Sequence, residues 1–243
     1  MKNIRNAFML GLLLCSTIIL KAQSTEEVLS KHQAAMGSPE KWTSVKSLVM
    51  KNKFSVQGMD IESKTSILVG KGFRTEVEVM GNKIITAING ETGWMMRPAM
   101  MGGTGEPEQM PGDQVKLAAS QKNIGSTLIN ALKDGAKIDL VSKEKLDGAD
   151  VYLLKVSKAS GDESQVYVSA TTYFIVKVTG KLKANGQEVD TEVNFSNYKA
   201  VDGLYFPYTM ETASPMGGMM TVDTVSIELN PNIDVNIFAK PTK

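Results

Sequence analysis

Methionine is the residue type in this chain whose placement most invites a chemical reading. Met95, Met96, Met100, Met101 and Met110 surround one Gly- and Pro-rich stretch, and Met210, Met216, Met219 and Met220 surround another, Ser214-Pro215-Met216-Gly217-Gly218. A thioether is unbranched, flexible and polarizable. Three readings therefore stand side by side: exposed flexible loops, a soft lining for a variable apolar ligand, or a Cu(I) site, since soft metals choose soft ligands. The copper reading lacks partners, because the chain has one histidine and one cysteine.

Acid–base and nucleophilic chemistry have little to work with. A nucleophile needs a base beside it, and the one histidine, His32, falls within the apolar stripe of an expected helix, where it reads as a packing or groove-facing side chain. Glu76 and Glu78 share a strand face with other charges and read as a solvated surface. Gly102-Gly103 and Gly217-Gly218 do not sit between a strand and a helix, so they do not form a phosphate-binding loop. The expectation is a binding protein without catalytic residues, metal or cofactor.

The elements that position these residues begin with a leader. Lys2 and Arg5 precede an apolar run from Phe8 to Leu20, followed by Lys21-Ala22-Gln23 and the polar Ser24-Thr25-Glu26-Glu27. That order is the layout of a secretory signal peptide. The run falls short of the roughly 20 residues needed to span a bilayer. Cleavage is expected near Gln23, with export to the periplasm. Cys15 follows Leu14 and is followed by more apolar residues, which does not fit a lipidation site. Cleavage removes Lys2, Arg5 and Lys21 from 27 basic residues, leaving 24 against 26 acidic ones, a formal charge of −2. Such balance offers no excess of cations for nucleic acid. The cysteine leaves as well, so packing alone must hold the mature chain.

Ser24 and Glu27 fit a capping box. Val28, Leu29, His32, Ala35 and Met36 follow at helical spacing, Gly37 can end the helix, and Ser38-Pro39 starts a short turn carrying Trp42. Period-2 alternation then marks strands at 48–56, 73–79, 174–178 and 188–195, separated by turn signals at Gly81-Asn82, Asn89-Gly90, Asp147-Gly148, Asn185-Gly186 and Asp202-Gly203. Residues 97–112 read as a loop and 113–133 as a helix weakened by Gly125, and strands resume at Lys137. Residues 24–243 are expected to form a single domain, α+β but mainly β. It would be one long antiparallel sheet that curls, with its apolar face covered.

Three segments resemble one family. Asn89-Gly90-Glu91-Thr92-Gly93-Trp94-Met95-Met96-Arg97-Pro98 is similar to a hairpin of the LolA/LolB-like lipoprotein carriers. Tyr198 to Pro207, with Asp202-Gly203-Leu204 inside it, resembles a strand pair of lipoprotein-sorting proteins of that superfamily. Asn230-Pro231 with Phe238 and Pro241 resembles their closing segment. Where the carriers place Arg-Pro, this chain has Lys71-Gly72, with Arg74 beyond. The resemblance implies an unclosed β-barrel with a helical lid that holds lipoprotein acyl chains or another lipid. Its partners would be a lipid or acylated lipoprotein and a membrane-associated donor or acceptor protein, with the carrier a monomer. A lipoprotein-sensing regulatory domain is the alternative with the same fold. Alternation puts Leu48, Met50, Phe54, Phe73, Val77, Val79, Ile84, Ile88, Trp94 and Met96 in the groove. Met216, Met219 and Met220 are expected at its mouth.

Overall fold

The computed structural model describes residues 23–56, 58–184, 187–214 and 217–242. Residues 1–22 of the expected leader, Cys15 among them, the Asn185-Gly186 turn and Met216 lie outside them. Two helices come first, α1 (Thr25–Met36) and α2 (Pro39–Ser44). Five strands follow: β1 (Ser47–Val56), β2 (Met59–Leu68), β3 (Gly72–Val79), β4 (Asn82–Asn89) and β5 (Thr92–Met96). After a short β6 (Glu108–Gln109) come α3 (Gly112–Ala118) and α4 (Thr127–Lys133). The chain then lays down β7 (Lys137–Leu146), β8 (Ala149–Ser157), β9 (Glu163–Ser169), β10 (Ile175–Ala184), β11 (Gln187–Val201), β12 (Leu204–Ala213) and β13 (Met219–Leu229).

All the strands join one antiparallel sheet in the order β6-β5-β4-β3-β2-β1-β13-β12-β11-β10-β9-β8-β7. The sheet is not closed: β6 and β7 stand at its two ends. Hairpins make each half local, and only the β1–β13 pairing joins the halves across the length of the chain. Tight turns do the reversing. Asp147 (φ 49°) with Gly148 (φ 83°), and Asp202 (φ 50°) with Gly203 (φ 77°), have both central residues left-handed, the twist-matched hairpin geometry. Three bulges bend the sheet further, where the register slips at Val141, Val176 and Val225. A bulge residue has no partner opposite and increases local twist. That explains why Val141 and Val225 are 58% and 59% exposed despite being apolar.

Four departures from the sequence expectation have physical causes. The helix expected over 113–133 is two helices: α3 ends at Ala118 and tightens into a 3₁₀ turn over Ala119–Lys122, Asn123 is extended, and Gly125 at φ +107° keeps the chain out of helical geometry until α4. Ser126 then caps α4, its hydroxyl accepting from Ile129 N–H at 3.2 Å. The loop over 97–112 contains a turn of 3₁₀ helix at Ala99–Met101 and the edge strand β6. The alternation of Phe174, Val176 and Val178 is broken by the bulge, so Ile175 rather than Val176 is the buried member. The turn after β3 is centred on Met80 and Gly81, both left-handed, one residue before the Gly81-Asn82 reading.

Candidate functional site

One face of the sheet, the inner face, carries the helices. The strand register defines it: Leu48 pairs with Ile67, Ile67 with Phe73, Phe73 with Ile88 and Ile88 with Gly93, and paired residues share a face. Leu48, Ile67, Phe73 and Ile88 are buried with Met36, Trp42, Val45, Val115, Leu204 and Phe206 in one cluster. A second cluster joins Val28 and Leu29 of α1 and Leu128 of α4 to Tyr152, Leu154, Val166, Val168 and Ile175 of the other half of the sheet. Thus α1 contributes to both clusters and spans the two halves.

His32 is the polar fastener of this lid. It is fully buried, with Nδ1 2.7 Å from the Tyr173 carbonyl oxygen and Nε2 2.7 Å from Ser126 Oγ. A carbonyl only accepts, so Nδ1–H donates to it and Nε2 accepts from the serine hydroxyl. The imidazole ties α1 to the start of α4 and to the turn before β10. Burial holds its pKa below the ordinary histidine value, against the opposing effect of the Tyr173 carbonyl.

Trp42 borders two apolar cavities, one among the helices and their connections and one between the helices and the sheet. The larger, about 370 Å³, is lined by Trp42 and Val45, by Val69 at the β2–β3 turn, and by Ile124 and Ile129; Lys46 and Lys133 stand on its wall. The smaller, about 110 Å³, lies among Met36, Ser126, Ile175, Phe195, Tyr198 and Phe206. Ser38 and Pro39 begin α2, with Ser38 Oγ accepting from Lys41 N–H. That short helix presents Trp42 edge-on to Phe206, with ring centroids 5.2 Å apart. Tyr198 stacks on Phe174 at 4.2 Å and donates its hydroxyl to the Ile175 carbonyl at 2.9 Å. Burial pushes its pKa well above that of an ordinary tyrosine, so it stays a neutral donor.

Beyond the lid the inner face stays apolar but is less covered. Ile61, Phe54, Val222, Met210 and Phe195 form one cross-strand row over β2, β1, β13, β12 and β11. Ile61 is buried; the other four are half-buried. Val77, Val79 and Ile84 continue this face, also half-buried.

The residues expected in the groove therefore divide. Leu48, Phe73 and Ile88 are on the inner face but packed under the lid, and Met50 packs against them. Phe54, Val77, Val79 and Ile84 are on its open part. Trp94 and Met96 are on the other face, which corrects the expectation: Trp94 pairs with Ala87 and Met96 with Ile85, and those four form a separate cluster. Alternation within β5 fixes only that neighbours differ. The identity of the inner residue, Met95, is set by the pairing with Thr86. At the mouth, Met220 pairs with Thr212 on the inner side, whereas Met219 faces away and is 57% exposed. Met95 and Met96 likewise diverge to opposite faces, so the first methionine group does not converge on one point.

The outer-face cluster has its own cover. Trp94 Nε1 donates to the Phe238 carbonyl at 2.9 Å, and Arg74 Nη1 donates to the Ile237 carbonyl at 2.9 Å. The Arg74 guanidinium lies 5.3 Å from the Trp94 ring centre and its Nε is 3.0 Å from Glu76. Glu76, read as solvated surface, is thus half of an ion pair, and Arg74 lowers its pKa. Phe238 is 2% exposed and lies against Gly72, where any Cβ would meet its ring at 2.7 Å. Here Arg74 latches the C-terminal segment to the outer face.

None of the residues expected in the groove lines the two lid cavities. Trp42 had a signal, a lone aromatic in a Ser-Pro-initiated turn, and Ile129 lay on the apolar side of the expected helix. Val45, Val69 and Ile124 fall in connections with no periodicity.

No family model matches the chain, and no curated protein matches it in sequence. Solved structures do share its fold. A LolA superfamily protein from Nitrosomonas europaea superposes with a TM-score of 0.58 at 13% identity, covering 90% of this chain and 99% of the other. A DUF1329 family protein from Desulfovibrio piger gives 0.57 at 14% identity, covering 90% and 98%. An outer membrane lipoprotein-sorting protein domain from Vibrio parahaemolyticus gives 0.53 at 16% identity, covering 88% and 95%. The unclosed, lid-covered sheet of this chain is the fold of the LolA-like proteins.

Proposed function

We propose that this protein binds the acyl chain of a lipid or of an acylated lipoprotein beneath its helical lid, as a periplasmic carrier of the outer-membrane lipoprotein-sorting kind. In this reading residues 1–23 are the signal peptide that exports it, cleaved near Gln23, and residues 24–243 are one lipid-binding domain. The observation that carries it is the apolar inner face with the smaller cavity beside Trp42 opening on it, the wall of that cavity including Phe195 of the half-buried row Phe54, Val222, Met210 and Phe195. The likeness of fold to a lipoprotein-sorting domain supports the same reading.

The energetics follow from burial. Each methylene removed from water contributes about 0.8 kcal/mol, so an acyl chain competes for the surface that the lid helices now cover. The two lid cavities give such a chain a place to enter without unfolding the sheet. Release to an acceptor protein requires only a surface that binds the chain better, and no covalent step is needed. The reading is therefore of a binder and not of an enzyme.

Its test is the material that accompanies the protein from its native host. Purified without detergent and analysed by native mass spectrometry, the protein should carry a lipid or acylated peptide at near-stoichiometric ratio. The stripped protein should bind a fluorescent fatty acid competitively with that material. A protein that arrives empty and ignores the probe would overturn the proposal.

A further inference from the structure

The larger cavity beside Trp42 has a wall of two kinds. Trp42, Val45, Val69, Ile124 and Ile129 give apolar surface to a space of about 370 Å³, within the range of small-molecule sites. Lys46 and Lys133 stand on the same wall and are both exposed, so that part of the wall meets solvent. Lys46 follows the end of α2, and Lys133 lies in the last turn of α4.

These two cations lack the partners that lysines elsewhere on the surface have. Lys31, Lys137, Lys155 and Lys177 each hold a carboxylate at 2.7–2.8 Å. Lys46 Nζ donates instead to the Thr43 carbonyl at 2.6 Å, and Lys133 has no ion-pair partner among the described residues. No carboxylate lines the cavity: Glu40 and Asp134, next in sequence to Pro39 and Lys133, are not part of its wall. An apolar space with unpaired cations where it meets solvent is complementary to an amphiphile whose head is negative.

We propose that the larger lid cavity takes a single acyl chain carrying an anionic head, with Lys46 and Lys133 as the residues that select the head. The chain lies among the apolar side chains, and the two ammonium groups close on the carboxylate or phosphate at the rim. Long flexible stems let them do so without moving α2 or α4. Thr43 is exposed, so water replaces the Lys46 ammonium on its carbonyl when the lysine turns to the ligand. The inference rests on the acyl-binding reading and adds the charge of the ligand and the residues that read it.

The experiment compares three monomeric lipids with one palmitoyl chain each: palmitate, palmitoyl lysophosphatidylglycerol and the neutral 1-palmitoylglycerol. Affinities for the delipidated mature protein are measured at about pH 8, where the fatty acid is ionised, by displacement of the neutral probe N-phenyl-1-naphthylamine. At low salt an anionic lipid is expected to bind about fivefold more tightly than the neutral one, the combined effect of two solvent-exposed ion pairs. The advantage should shrink to within about twofold in roughly 0.5 M NaCl. The double variant Lys46→Gln/Lys133→Gln should lose the advantage while binding the neutral lipid as the native protein does. The double variant Lys51→Gln/Lys64→Gln removes two exposed lysines paired on the outer face and should keep it. A gain for palmitate assigns a carboxylate head, and a gain for the lysophospholipid alone assigns a phosphate.

Equal binding of all three lipids to the native protein overturns the inference and leaves the acyl-binding reading standing. So does a preference that survives in Lys46→Gln/Lys133→Gln, or one lost equally in Lys51→Gln/Lys64→Gln, which would make it an effect of net charge. Binding of none of the three overturns both. Because the lipid comparison is made first on the native chain, poor folding of a variant does not rescue the inference.

Discussion

His32 is the one side chain of its type in the chain, which makes its protonation separable from that of every other group. Its imidazole is clamped between the Tyr173 carbonyl and the Ser126 hydroxyl, and burial depresses its pKa in the folded state. An unfolded histidine takes up a proton near pH 6.5, whereas the folded one resists. Below that pH the unfolded state binds more protons, so stability is lost as pH falls from about 6.5 toward the folded pKa, with a limiting slope of about 1.4 kcal/mol per pH unit. Urea denaturation between pH 7.5 and 5 should show this loss, and His32→Gln should flatten it. An unchanged slope in the variant would show that the clamp does not hold the ring neutral. The sequence made the histidine's burial legible through its place in the apolar stripe of α1. Its partners were not legible, because Ser126 and Tyr173 lie 94 and 141 residues away and meet it only through the tertiary fold.

At the scale of elements, the hairpin strands were readable because alternation and Asx-Gly turns are local signals. Which face each strand presents was less so. Trp94 looked like groove lining because it is large, apolar and on an alternating strand, yet pairing with Ala87 and Ile85 puts it and Met96 under the C-terminal segment. The aromatic needed a cover, and the cover came from residues 235–238, far along the chain. Bulges at Val141, Val176 and Val225 changed phase within strands for similar reasons, since an extra residue leaves no mark in a period-2 pattern until its partner strand is known. The outer-face clasp should be energetically separate from the ligand site. Phe238→Ala removes a buried ring packed on Gly72 and should cost about 3–5 kcal/mol in chemical denaturation. Fatty-acid affinity of the folded variant should stay within about twofold of native. A selective loss of binding with stability intact would mean that the C-terminal segment belongs to the ligand site.

For the whole molecule, the open sheet and its lid divide the labour. Pairing of β1 with β13 makes one continuous face out of two hairpin series, and α1 contributes to the hydrophobic cluster of each half. The sequence conveyed that a single greasy face must exist and be covered. It could not convey how much of that face the helices would fill, since that depends on where the second helical segment breaks and where α4 then lands. The result is a protein whose inner face is sealed at the Leu48 end, hollow around Trp42, and thinly covered along Phe54, Val222 and Met210. The most direct test is a titration of methyl-labelled protein with palmitoyl ligand, followed by NMR. Ile61, Val222, Met210 and Ile129, all on the inner side, should shift with saturation, while Ile85 and Met96 on the outer face stay unmoved. Shifts confined to the outer-face methyls, or none at saturating ligand, would contradict the account.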